Sequence, residues 1–85
     1  MTYGIYVIRD AKTTFMLPTV DFNNASAMRN FEHAVRHPDS LMKSHPNDFG
    51  FYRVGSFDNE TGEIMPEFPP QFICDATVCL RKEDE

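Results

Sequence analysis

The chain has 85 residues, 41% of them hydrophobic, with eight Phe and three Tyr, which suffices for one small folded domain and is too apolar for a disordered chain. Its net charge of −5 is uneven: five bases meet four acids from Met1 to His45, and three meet nine from Pro46 to Glu85. Overall charge therefore gives no support to non-specific nucleic-acid binding, which would need a local basic face.

No apolar run approaches the roughly 20 residues of a membrane span. The N-terminus lacks the basic stretch and apolar core of a signal peptide. A soluble protein without membrane contact is expected. A chain this short buries only about 60–65% of its unfolded surface, so a homo-oligomer, a dimer first, is expected to support a thin core.

Thr2 to Arg9 carries β-branched and aromatic residues on both faces and predicts a central strand. Asp10 to Thr13 makes a turn. Phe15 to Leu17 starts a second strand that Pro18 confines to an edge or bulge, and Thr19 to Phe22 continues it or leads out. Asn23 and Asn24 supply N-cap chemistry. Ala27, Met28, Phe31, Ala34 and Val35 then recur at helical spacing, and His37-Pro38 stops the run, which predicts one helix over Ala25–Arg36.

Pro38 to Pro46 reads as a connector in which Ser40 caps one short turn, carrying Leu41 and Met42 inward. Phe49 to Phe57 is the longest aromatic and β-branched run. It is followed by Asp58-Asn-Glu-Thr-Gly62, where Gly62 can take a positive φ, and by a return at Glu63 to Met65, which together predict a hairpin. Three prolines in Met65 to Pro70 predict an extended connector rather than regular structure. Gln71 to Leu80 returns to strand or lies extended on a neighbouring subunit, and Arg81 to Glu85 is a charged end. The fold class is α+β: one domain over residues 1–85, an antiparallel sheet of about four strands in β-β-α-β-β order with one helix on one face, and a proline-containing extended segment from residue 66.

Little in this chain points to catalysis. His33 and His37 stand at i, i+4, the spacing of a two-histidine metal site, with Asp39 or His45 as nominal third ligands; the zincin pattern, however, needs Glu where Ala34 stands. In a strand, Cys74 and Cys79 would lie on opposite faces, too far apart to bond or share a metal, and they read as buried thiols. No Ser lies in an elbow context, and the glycines form no phosphate loop. No enzyme activity, cofactor or metal is expected.

Two surfaces remain as binding candidates. Arg29, His33, Arg36 and His37 form a helical stripe of positive or potentially positive groups suited to phosphate or an acidic partner, unless it is only a solvated face, and Glu32 can pair with Arg36. Tyr3, Tyr6, Phe51 and Tyr52 with Arg9 and Arg53 would suit base stacking on single-stranded DNA if they were exposed together rather than in a core or interface.

The ordered set M-x-Y-G-I-Y-x-I-R-D, Pro18, Val20-Asp21, Asn23, Ser26-Ala27, Arg29, Phe31, Pro46, Asp48-Phe49, Tyr52, Gly55, Phe57-Asp58 and Thr61-Gly62 resembles the small nonstructural protein of gokushoviruses, microviruses with single-stranded DNA genomes that infect bacteria. The resemblance covers roughly Met1 to Pro70. It implies a non-virion protein in the host bacterial cytoplasm, acting in the switch to single-stranded genome synthesis or in packaging, and it brings no catalytic residues. Three readings follow: an accessory working through protein partners such as the viral replication or procapsid protein, a direct single-stranded DNA binder, and an inhibitor of a host factor.

Overall fold

A computed structural model describes residues 1–81. Four strands, β1 (Thr2–Asp10), β2 (Thr19–Asp21), β3 (Phe49–Asp58) and β4 (Ile64–Asp75), form one sheet in the order β2-β1-β3-β4, with every neighbouring pair antiparallel. Helices α1 (Asn24–Arg36), α2 (Leu41–Ser44) and α3 (Ala76–Arg81) complete the chain, with a 3-10 turn at Pro46–Asp48. The expected α+β class, the antiparallel four-stranded sheet and the central place of β1 all hold. Because β2 and β3 run the same way on either side of β1, α1 is the crossover that joins them.

Local chemistry sets the boundaries. The Asn23 side chain accepts from the Ser26 amide at 2.8 Å and starts α1, and the chain leaves the helix at His37, before Pro38. Gly62 has φ +80°, and its amide donates to the Asp58 carbonyl at 2.8 Å, closing the β3–β4 turn. The Asp58 carboxylate accepts from the Glu60 amide at 2.9 Å, which holds it below its ordinary pKa. Ser40 caps α2 through the Met42 amide at 3.1 Å; Met42 packs on the core, while Leu41 is exposed rather than carried inward.

The core lies on one side of the sheet. Phe31 of α1 stacks on Phe51 of β3 at 4.5 Å between centroids, and Phe51 stacks on Tyr6 of β1 at 5.5 Å. Ala27, Val35, Phe49, Cys74, Ala76 and Cys79 close around these rings. Gly4 makes room for Tyr6, because a Cβ there would collide with the phenol two residues on. The Tyr6 hydroxyl donates to Asn24 Oδ1 at 2.6 Å, and burial pushes its pKa up while Arg53 pulls it down.

Two expectations for the C-terminal third are corrected. Residues 66–70 belong to β4, despite three prolines in that strand. β4 is an edge strand, and between the pairs Arg53↔Gln71 and Gly55↔Pro66 the residues Glu67 to Pro70 arch past Val54 alone, so the prolines displace few ladder bonds. The second correction concerns Gln71 to Leu80, where the strand ends at Asp75 and α3 follows. The Asp75 carboxylate accepts from the Thr77 hydroxyl and, at 3.3 Å, from the Val78 amide, an N-cap that outweighs the β-branched Thr77-Val78 pair. Cys74 and Cys79 therefore do not face opposite ways; both thiols are buried in the same core. The single expected helix is joined by two short ones. The charged end expected beyond Arg81 lies outside the described residues.

Asp21 ties the β2 edge to α1. Its carboxylate is held below its ordinary pKa mainly by the Ser26 hydroxyl, and also by the Asn30 amide at 2.7 Å, the Phe22 backbone amide at 2.8 Å and the nearby Arg29 charge. A lowered folded-state pKa gives stability that is present above about pH 4 and lost as pH falls through the folded value. Asp21→Asn should therefore lower the melting temperature at pH 7, with the gap to the wild type closing as pH falls through the lowered folded-state pKa, as read by thermal denaturation across acid pH. Tyr6→Phe should cost about 0.5–1.5 kcal/mol in denaturant melts, and Gly4→Ala about 1–3 kcal/mol by overpacking.

Candidate functional site

All three helices pack on the side of the sheet that carries Tyr6 and Phe51. The strand register fixes what the other side presents. Directly paired residues share a face, which gives the rows Arg9–Gly50–Asp75, Val7–Tyr52–Phe72, Ile5–Gly55–Pro66 and Tyr3–Phe57–Ile64 across β1, β3 and β4. β2 adds Val20 beside Ile5, and Phe15 bridges to Arg9. Apart from Arg9 and Asp75 these rows hold no charge.

Among the described residues no helix covers this open face. Its centre is partly closed by its own chain, with Val7 buried and Tyr3, Ile5, Tyr52 and Phe57 half-buried, while around it Phe15 is 44% exposed, Val20 52%, Phe72 57%, Phe22 61% and Ile64 62%. An edge-to-face ring run crosses it, Phe15 to Tyr52 at 6.0 Å and Tyr52 to Phe72 at 5.5 Å, and the Arg9 guanidinium sits 5.8 Å from the Phe15 centroid. The Tyr52 ring leans over Gly50, and a hollow of about 160 Å³ opens beside it, walled by Arg9, Asp48, Phe72 and Asp75. A second groove of about 220 Å³ runs between Val7, Phe15, Pro18, Val54 and Pro70. Exposed apolar surface of this kind is the sort that contact sites for other macromolecules are made from.

The sequence candidates fall into three separate places. Arg9 and Tyr52 lie together on the open face. Arg53 does not join them: it follows Phe49 and Phe51 by strand alternation onto the helix side, opposite Tyr6, and the extra residue at Val54 comes after it. There it donates to Glu67 and to Asn24 Oδ1 at 3.2 Å each, and its guanidinium lies 5.9 Å from the Tyr6 ring. Tyr6 and Phe51 are core. Of the stripe on α1, Arg29, His33 and His37 are exposed on the outer surface of the molecule. Arg36 instead holds α3, donating from Nε and Nη2 to the Cys79 carbonyl at 3.1 and 3.0 Å, with Glu32 3.7 Å away. That carbonyl is among those a helix end leaves without an intrahelical partner, where a cation is favoured. The His37 ring accepts from the Asp39 amide at 3.2 Å. Among the described residues, no three of His, Cys, Asp and Glu converge as a metal ion requires.

Sequence reasoning missed Phe15, Phe22, Ile64 and Phe72 as site residues. Phe72 and Tyr52 become neighbours only through the β3–β4 register, which irregularities near Phe51 and Val54 shift. Tyr3, which stacks edge-on to Phe22 at 5.5 Å, was placed with Tyr52, and the two do share a face.

The architecture is that of a small two-layered α+β protein, a four-stranded antiparallel sheet with helices on one side. The chain belongs to the phage family described as Phage ORF5 protein, which it matches over residues 3–79. No curated protein and no solved structure matches it. Among the described residues, no helix is long and apolar enough to cross a membrane.

The two arginines of α1 separate by experiment. Arg36→Ala should destabilise the fold by about 1–2 kcal/mol, since it removes charged hydrogen bonds to a carbonyl at a partly exposed site. Arg29→Ala should stay within about 0.5 kcal/mol, as surface changes do. Urea melts of the two variants check this.

Proposed function

We propose that this is a nonstructural accessory protein of a single-stranded DNA phage of the gokushovirus kind, acting in the host bacterial cytoplasm through protein contacts. Its role is in the switch to single-stranded genome synthesis or in packaging, and its viral partner is the replication or procapsid protein. Membership of a phage family supports the setting, and the ordered residues shared with the gokushovirus protein support the narrower assignment. The observation that carries the mode of action is the open face. A broad apolar surface holding one arginine and one carboxylate suits a protein and offers little to a polyanion, for which each contacted phosphate needs a cation.

The ring run beside Arg9 favours a second reading, a stacking platform for single-stranded DNA. Asp48 and Asp75 next to that arginine oppose it.

Two measurements decide between them. Fluorescence anisotropy of labelled single-stranded DNA should show no salt-sensitive binding tighter than about micromolar, the upper end of non-specific affinity. Tagged protein recovered from infected bacteria should retain the viral replication or procapsid protein after nuclease treatment. Binding that is tight, salt-sensitive and lost in Arg9→Ala with Tyr52→Ala would establish the DNA reading instead, and nuclease-resistant recovery of a host protein alone would establish a host-factor inhibitor.

A further inference from the structure

The open face offers itself to a partner, and its own layout says which. We infer that it is covered by a second copy of this chain, in a face-to-face dimer whose two-fold axis lies between the two sheets and runs along β3. The inference rests on the reading that this face takes protein rather than nucleic acid.

The register supplies the argument. β3 lies between β1 and β4, and the rows cross it level by level. A two-fold axis along β3 sets β1 of each copy over β4 of the other at the same level. Arg9 then stands over the second copy's Asp75, and Asp75 over the second copy's Arg9, so the only two charges in the rows meet opposite charges twice. One level on, the exposed Phe72 lies over the second copy's β1, where Val7 is already buried by its own chain, and Tyr52 meets Tyr52. An axis at right angles to the strands would instead lay the Arg9 row on the Tyr3 row, burying Asp75 against Ile64 with no cation. Asp75, whose Oδ1 already caps α3, would there lose water without gaining a cation, so the charge layout selects the first axis.

Size and shape agree with this. Three overlapping strands about 4.8 Å apart and a nine-residue β1 rising about 3.4 Å per residue give a flat footprint of roughly 440 Å² per copy. With the axis along β3 only β1, β3 and β4 overlap, so two such faces bring together roughly 900 Å² of flat area before side-chain relief, close to the roughly 1,000 Å² that separates biological interfaces from casual contacts. Stacked sheets pack about 10 Å apart with apolar side chains between them, and this face supplies those side chains. A two-fold interface must be self-complementary, and rows carrying Arg9 on one flank and Asp75 on the other meet that condition.

Light scattering and sedimentation equilibrium at about 10–100 µM, where interfaces of this size are commonly occupied, should give twice the 9.8 kDa chain mass. Phe72→Lys and Arg9→Glu should each weaken the dimer at least tenfold while circular dichroism shows the fold retained, because both side chains point away from the core. Arg29→Glu, on the helix layer, should leave the mass unchanged. Tyr52→Cys should link to its copy through a short thiol cross-linker, and Arg29→Cys should not. A monomeric wild type across that range, or a dimer indifferent to Phe72→Lys and Arg9→Glu, overturns the inference. A monomer without DNA affinity would overturn the dimer alone. Loss of the open-face variants' binding to single-stranded DNA would overturn the underlying reading of the face.

Discussion

The stack of Phe31 on Phe51 on Tyr6 decides which side of the sheet becomes the core, and the rest of the molecule follows from that choice. Three rings from a helix and two central strands give most of the apolar area a thin core of this size can bury. The stack requires Gly4, since any side chain there meets the phenol. It also locates the polar network at its rim, where the Tyr6 hydroxyl and Arg53 converge on one oxygen of Asn24 and so join β1, β3 and the first turn of α1. Arg36 does the same at the far end, fixing α3 to α1 through the Cys79 carbonyl.

With every helix committed to one side, the sheet's other face is left in water carrying aromatic and branched side chains. A sheet that alternates apolar-in and polar-out can stand alone. This one has apolar residues on both faces of β1 and β3, so its second face is built to be covered. The cations that could have made it a nucleic-acid surface are placed elsewhere. Arg53 and Arg36 hold the fold together, and Arg29 stands on the outer side of α1. On the proposed reading the protein acts by association through packing, with Arg9 and Asp75 setting alignment more than affinity.

Much of this was legible in the residues. Asn23 as a cap, Pro18 and the short edge strand, Gly62 in the turn, the helix stop before Pro38 and the Glu32–Arg36 pair each rest on chemistry within a few positions, and each holds. Apolar residues on both faces of the first strand correctly pointed to a central place for it. What failed depended on distance in the chain. Pro66, Pro69 and Pro70 argue against a strand until β4 is known to be an edge. Thr77-Val78 argue for one until Asp75 is seen capping a helix. The arginines look alike in sequence, and only the register shows that Arg53 shares the core face of Tyr6 and Phe51 while Arg9 shares the open face of Tyr52. The proposed site is a set of rows across three strands, and rows depend on register, which bulges shift without a local signal.

Hydroxyl-radical footprinting over a concentration series tests the central claim, that the helix-free face is a protein contact surface. The account predicts that Ile64 and Phe72 become protected as concentration rises, while Met28 and Leu41, exposed on the helix layer, stay reactive throughout. If Phe72 remained as reactive as Leu41 at every concentration and in the presence of the viral partner, the account would be contradicted.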